Sequence, residues 1–220
     1  SEGGIIAPMV AVKRKDIDFI VLMAGPGVPT IDLMAEQNEA VARSSGINEK
    51  SLAEIKPLFR LVVQSILNAA DRASAMLTTL QVVENWSLGK DSSILQELNM
   101  ATPKQRSEYA GSMVKELQSP WLRYFLNFQP HQYLEQLKCR VFAVNGDKDM
   151  QVISKQNLPG IAAALKKSHN KNYEIKEMPG LNHLFQACNK CTLAEYGERE
   201  ETISPAVLEA ISNWLEKNVK

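Results

Sequence analysis

Cysteine and histidine are both scarce in this chain of 220 residues, which holds three of each. Three cysteines do not make a disulfide scaffold. Cys139 stands just before an apolar run and reads as a buried core thiol, whereas Cys188 and Cys191 form a lone C-x-x-C. Zinc needs four ligands, and without a second cysteine pair or a histidine cluster no metal is expected. A bridge between Cys188 and Cys191 requires an oxidising compartment; the default reading is two ordinary surface or helix cysteines. Charge of one sign is missing as well. With 25 basic residues against 25 acidic, there is no reason to expect nucleic acid or an acidic membrane as partner. No apolar run approaches the ~20 residues of a membrane helix. An initiating Met and a signal peptide are absent too, the first residues being Ser1-Glu2-Gly3-Gly4. What is present, 45% apolar and 23% charged residues, is the composition of a globular chain, long enough for one domain with a large insertion.

The apolar patterning predicts an α/β fold. Residues 5–15 read as a helix whose cations, Lys13, Arg14 and Lys15, gather at the C-terminal end favoured by the macrodipole. Pro8 belongs in a first turn, so regular helix is expected to start near it. From Ile17 to Ala24 the unbroken run Phe19-Ile20-Val21-Leu22-Met23 predicts a strand buried on both faces, ended by Gly25-Pro26-Gly27. Two further strands are expected late, at 140–145 before Gly146 and at 173–178 before Pro179-Gly180, the latter alternating like an edge strand. A crossover helix over 161–167 and an amphipathic helix over 205–220, with Val207, Leu208, Ile211, Trp214 and Leu215 on one stripe, complete the pattern. The middle, 31–137, is helical throughout and punctuated by Pro57, Pro103, Pro120 and Pro130. A hundred residues are too many for a crossover. They read as a helical cap inserted between 1–30 and 138–220, the two parts of the core.

Chemistry is narrowed by elimination among the histidines. His131 reads as a solvated hinge residue and His169 as part of an exposed polar turn. His183 differs, lying in Pro179-Gly180-Leu181-Asn182-His183-Leu184-Phe185 directly after a strand. Functional groups in open α/β sheets gather on the loops at the carboxyl ends of strands. The preceding strand ends in Gly146-Asp147-Lys148-Asp149, whose carboxylates are turn formers, a metal site or an acid–base pair. Beside a histidine, a carboxylate fixes the imidazole tautomer and stabilises the imidazolium. Ser1 followed by x-Gly and a helix is the second half of G-x-S-x-G, in which a tight turn lifts a nucleophilic hydroxyl above the sheet. The chain order Ser, Asp, His is that of α/β-hydrolases.

Ser1-Glu2-Gly3-Gly4 with Ile6-Ala7-Pro8-Met9 resembles the G-H-S-E-G-G elbow of bacterial α/β-hydrolase carboxylesterases of the serine-aminopeptidase-like (S33-type) group. Ala24-Gly25-Pro26-Gly27, Gly146-Asp147-Lys148-Asp149-Met150-Gln151-Val152 and Pro179-Gly180-Leu181-Asn182-His183 are similar to that group as well. In its G-x-x-D pattern the acid lies three residues after glycine, which implies Asp149 as the triad acid and leaves Asp147 as a turn former or supporting group. The resemblance implies a carboxylesterase for small or medium acyl esters. Ser1 would be the nucleophile, His183 the base, Asp149 its orienter and the Glu2 backbone N–H an oxyanion donor. No cofactor is implied. Relatives with this elbow are often exported, which implies a periplasmic setting. Trp121, Tyr124, Phe125 and Phe128 stand at helical spacing; they read as core between cap helices or as lining of the acyl or leaving-group pocket.

The family fold also requires the strand that delivers the serine and an earlier loop for the second oxyanion donor. The chain is therefore expected to be the C-terminal part of a larger catalytic domain, its partner being the N-terminal portion of that domain. Alone it is expected to be inactive, or to complete its sheet by pairing with a second chain along the open edge. Two other readings stay open. An aminopeptidase or proline iminopeptidase would need an acidic cap residue for the substrate amine, from Glu36, Glu39 or Glu84. A non-catalytic binding module on the same scaffold would need none of the triad.

Overall fold

A computed structural model describes residues 1–219. The fold is α/β: a three-stranded sheet, all parallel, with a long helical insertion between its first two strands. In chain order the elements are α1 (Gly3–Lys13), β1 (Phe19–Met23), α2 (Thr30–Ser44), α3 (Glu49–Asn68), α4 (Arg72–Ser87), α5 (Ser92–Glu97), α6 (Pro103–Leu117), α7 (Pro120–Leu126), α8 (His131–Leu134), β2 (Arg140–Gly146), α9 (Ser154–Lys167), β3 (Tyr173–Met178) and α10 (Pro205–Asn218). A 3₁₀ helix, Leu193–Glu198, precedes α10. The chain forms two compact units, 1–33 with 129–220 and 34–128. Sequence patterning places the insertion at 31–137; the compact helical unit is shorter, because α8 packs against α1 and α9 of the sheet unit.

In the sheet unit β2 is central, pairing Ile20 with Val141 on one side and Ala143 with Ile175 on the other. Centrality explains its burial from Val141 to Gly146. β1 is buried on one face only, at Ile20 and Leu22, and not on both as its unbroken apolar run predicts. It is an edge strand, with no partner beyond β2 among the described residues. β3 forms the other edge and alternates, as its sequence predicts. One sheet face buries Leu22, Val141 and Ala143 against Leu158, Ile161 and Leu165 of α9 and Leu134 of α8. On the other face Trp214 of α10 stacks on Phe142 at 5.4 Å and meets Phe19 edge-on at 6.0 Å. Leu208, expected on the same stripe as Trp214, is exposed instead.

Proline is a weaker breaker here than the sequence suggests. α1 begins at Gly3, five residues before Pro8, because its first turn closes through Gly4 N–H to the Ser1 carbonyl at 2.9 Å. That turn is pressed against the loop after β1: a Cβ on Gly4 would stand 2.5 Å from the Gly25 Cα. Packing at this crossing outweighs the one hydrogen bond that Pro8 removes. Pro57 and Pro159 likewise sit inside α3 and α9, whereas Pro103 and Pro120 open α6 and α7 at the position where a missing N–H costs nothing.

The helical unit packs α3 against α4 and α4 against α6. Leu58, Val62 and Ile66 of α3 are buried with Val83 of α4 and Val114 of α6, as the 3.6-residue spacing predicts, but Leu61 is half exposed. Its helix starts carry side-chain caps: Asn48, Asp71, Asp91, Thr102 and Ser119 each accept a backbone N–H. Among the described residues no helix is long and apolar enough to cross a membrane.

Candidate active site

Parallel strands align their carboxyl ends, and the residues singled out by sequence lie at those ends. β2 runs into Gly146, after which the chain must turn under the loop that follows β3. A Cβ on Gly146 would lie 2.1 Å from the Leu181 carbonyl oxygen, so only glycine lets the two loops cross this closely. Lys148 N–H then donates to Leu181 O at 3.0 Å, and the Asp147 carboxylate accepts Gly180 N–H at 2.6 Å. Asp147 thus staples one loop to the other while pairing with Lys148 at 3.2 Å. That is a turn-forming and supporting part.

Asp149 is 3% exposed. One carboxylate oxygen accepts the backbone N–H groups of Gln151 and Val152 at 2.8 and 2.9 Å; the other lies 2.8 Å from His183 Nδ1. In the tautomer whose Nδ1–H donates to this carboxylate, His183 Nε2 is the lone-pair nitrogen. The two backbone bonds hold the carboxylate plane and leave Oδ2 to orient the ring.

His183 is held by its own loop. Asn182, fully buried, accepts the N–H groups of Leu184 and Gln186 on its side-chain oxygen at 2.9 and 3.0 Å. Phe185 adopts a left-handed φ of 60°, a conformation that costs a non-glycine residue about 1 kcal/mol or more and persists only where its surroundings enforce it. Enforcement comes from Gln186, whose amide donates to Glu201 O at 2.8 Å, and from Ser204 N–H on Phe185 O at 2.8 Å.

Ser1 lies at the end of β1, its amino group donating to the Met23 carbonyl at 3.2 Å. The charge of Asp149 acts on that nitrogen. Ser1 is therefore within electrostatic reach of the Asp149–His183 pair. Glu2 directly precedes α1, at the positive end of the helix dipole.

His131 opens α8 and is exposed; His169 is exposed in a turn at φ 57°. Trp121, Tyr124, Phe125 and Phe128 belong to the helical unit. Trp121 stacks on Phe125 at 5.3 Å, Tyr124 meets Phe128 at 6.1 Å, and only Phe128 of the four is buried. Core packing thus accounts for Phe128, while Trp121 and Tyr124 are each 54% exposed. Each acidic residue considered for amine binding is already matched by a cation. Lys56 lies 3.0 Å from Glu36 and 2.7 Å from Glu39, and Arg106 lies 2.7 Å from Glu84. Cys139 is free and partly buried, so it is less enclosed than its apolar context suggests. Cys188 and Cys191 are joined in a disulfide rather than standing as separate thiols. Among the described residues no group of three His, Cys, Asp or Glu side chains is placed to hold a metal ion.

Sequence reasoning passes over Asn182, Gln151, Glu195 and Tyr196. Asn immediately before His183 does carry a local signal, since Asn side chains build such turns. Tyr196 reaches the site only through the folded 3₁₀ segment and leaves no local pattern. No known protein family matches the chain, and no curated protein matches it.

Proposed function

We propose that the chain carries the catalytic residues of a serine hydrolase of α/β-hydrolase type, cleaving carboxylic esters of small or medium acyl groups. The observation that carries this reading is the 2.8 Å contact between buried Asp149 and His183 Nδ1, at strand ends where Ser1 also lies. His183 Nε2 takes the Ser1 hydroxyl proton as the oxygen attacks the ester carbonyl. The resulting oxyanion is met by the Glu2 backbone N–H, and one such donor contributes about 3 kcal/mol to the transition state. Collapse expels the alcohol, protonated by His183, and leaves an acyl-Ser1 that water cleaves by the same proton route. Asp149 holds the ring and stabilises its cationic form without itself taking the proton. Every step is a proton transfer or an acyl transfer among these groups and water.

The cations on Glu36, Glu39 and Glu84 weigh against an aminopeptidase, because a substrate amine would have to displace Lys56 or Arg106. The outer edge of β1, which has no strand partner among the described residues, supports pairing with a further strand, from the N-terminal portion of the same domain or from a second chain. The test is fluorophosphonate labelling in the natural sequence context, followed by peptide mapping and p-nitrophenyl acetate and butyrate hydrolysis. Label on Ser1, lost together with turnover in Ser1→Ala, is the expected result. Label on another serine, or turnover surviving Ser1→Ala, overturns the assignment.

A further inference from the structure

The helical unit has no part in the chemistry above, yet it encloses a cavity of its own. The cavity has a volume of about 190 Å³ and lies among α2, α3, α6 and the segment after α5. Its lining runs from Asn38 to Met113, wholly within 34–128. Leu58, Phe59 and Met100 are buried in the wall, and Met113 adds a second thioether. No charged side chain is among the described residues that line it. An apolar cavity of about 150 Å³ takes up benzene, so this one has room for a single ring with a substituent. Sites for drug-sized ligands run from about 300 Å³ upwards.

Two polar side chains stand in that wall, Asn38 of α2 and Tyr109 of α6. Both are half-buried, and neither hydrogen-bonds another described residue through its side chain. Burial pushes the Tyr109 pKa up to about 12, with no hydrogen bond or charge opposing it, so the hydroxyl is neutral. Buried hydroxyls elsewhere in the unit are matched. Ser51 bonds Glu97, Thr79 lies 2.8 Å from the Ser65 hydroxyl, and Ser87 donates to the Glu84 carbonyl at 2.7 Å. A polar group that loses water and gains no partner costs stability, and folds keep few of them. Packing of the unit does not account for this pair.

We infer that this cavity is a binding site for a neutral, single-ring phenol, whose hydroxyl is met by Asn38 and Tyr109 and whose ring is met by Phe59, Met100 and Met113. The Asn38 amide oxygen accepts the ligand's hydroxyl proton, and the Tyr109 O–H donates to the ligand's oxygen. In a space of this size both side chains are within reach of one ring. Charge is selected against, because a carboxylate would enter with no cation to pair it. A ring is selected over a chain, because Phe59 offers it an aromatic partner and thioethers make favourable contacts with aromatic rings. No bond is made or broken, and the inference stands independently of the serine hydrolase reading.

The test titrates the full chain with p-cresol, toluene, n-hexanol and p-toluate while the methionine methyl signals are followed by NMR. Saturable movement of the Met100 and Met113 signals by p-cresol is expected, with Met23 and Met150 of the sheet unit unmoved. Toluene, which lacks the hydroxyl, should bind about five- to tenfold more weakly, as loss of a hydrogen bond implies. Hexanol, which lacks the ring, should be weaker than p-cresol as well, and the anionic p-toluate weaker by about a hundredfold or more. Tyr109→Phe should lower p-cresol affinity about five- to tenfold, leave toluene affinity as it was, and not lower Tm, since the hydroxyl has no partner to lose. Asn38→Leu should likewise lower p-cresol affinity and spare toluene. A hydroxyl kept for structure would do the reverse: Tyr109→Phe would lower Tm and preserve the advantage of p-cresol over toluene, which overturns the inference. Toluene, hexanol or p-toluate binding as tightly as p-cresol overturns it too. So does the absence of saturable shifts at Met100 and Met113, or their appearance at Met23 and Met150 instead. Ester turnover enters none of these readings, so the outcome is decided whatever becomes of the hydrolase reading.

Discussion

The two compact units are held together by different means. The helical unit, 34–128, uses generic devices: capped helix starts, surface ion pairs and an aliphatic core of Leu58, Val62, Ile66, Val83 and Val114. Asn99 is its only non-glycine residue with a positive φ among those described. In the sheet unit Ala24, His169, Phe185 and Cys191 share that conformation, and three of the four lie on loops following β1 or β3. It also buries Asp149 after β2, Asn182 and Gln186 after β3, and Glu195 in the 3₁₀ helix. Strain and buried polar groups are costly, and folds retain them where a fixed geometry is needed. The contrast supports the proposed placement of the site in the sheet unit without reference to any motif.

The sharpest way to break this contrast is to remove one carboxylate from each unit. Asp149→Asn should lower ester turnover by about 10⁴-fold, because the amide no longer favours the productive tautomer or the imidazolium. Glu84→Gln, in the helical unit, should leave turnover within about twofold, since it loses a part-buried ion pair to Arg106 that belongs to the helical unit alone. Asp147→Ala separates the two aspartates of the loop. It removes the staple to Gly180 and should cost about 1–3 kcal/mol of stability while most turnover remains. If Asp147→Ala abolished turnover and Asp149→Asn spared it, the acid would be misassigned.

Glycine gives the next largest effect, with opposite signs in the two units. Gly146→Ala drives a Cβ to 2.1 Å from the Leu181 carbonyl, a backbone atom that cannot step aside, and should destabilise by about 3 kcal/mol or more while parting Asp149 from His183. Gly111 lies inside α6, and a Cβ there would meet nothing closer than the tip of Met76 at 3.9 Å. Gly111→Ala should therefore stabilise by roughly 0.5–1 kcal/mol through helix propensity and a less free unfolded chain. Denaturant unfolding checks both; a loss at Gly111 would mean that the helical unit is as tightly constrained as the sheet unit.

Much of this arrangement is legible in the residues themselves. The three strands are legible because two short apolar runs and one alternating run end in Gly or Pro-Gly, and the strand-end residues Asp149 and His183 because their loops follow those runs directly. The start of α1 is not legible: Pro8 signals a boundary, and only the approach of Gly4 to Gly25 explains why the helix begins earlier. Nor does the run Phe19–Met23 show its exposed edge, since burial depends on which strand lies beside it. Tyr196 and Glu195 are the hardest to read. Tyr196 bonds Gln151, 45 residues earlier, from a 3₁₀ segment with no periodic pattern, and Glu195 gathers the backbone N–H groups of Asn189, Lys190 and Cys191.

The smallest effect is a difference in acid response. In the helical unit Asp71, Asp91 and Glu97 all have lowered pKa values. The Ser74 and Ser93 backbone N–H groups bond the first two, and the Ser51 hydroxyl bonds the third. Glu39 is lowered too: burial, the largest single influence, acts to raise it, but the bonds from Lys56 and Arg43 together prevail. A carboxyl group whose pKa is lower in the folded state binds protons more weakly there than when unfolded. Its stabilising contribution is therefore full above the unfolded value, near pH 4, and is lost as pH falls through the folded one. In the sheet unit exposed Asp16, bonded to Arg14, is lowered as well. Because Asp71, Asp91 and Asp16 are exposed, each of them contributes little. Residue-resolved hydrogen exchange from pH 5 to pH 2.5, corrected for intrinsic rates, should show protection falling first at the capped starts of α3, α4 and α5. The amides of β2 should hold longer, and their earlier loss would mean that the sheet unit depends on ionised carboxylates more than its hydrogen bonds imply.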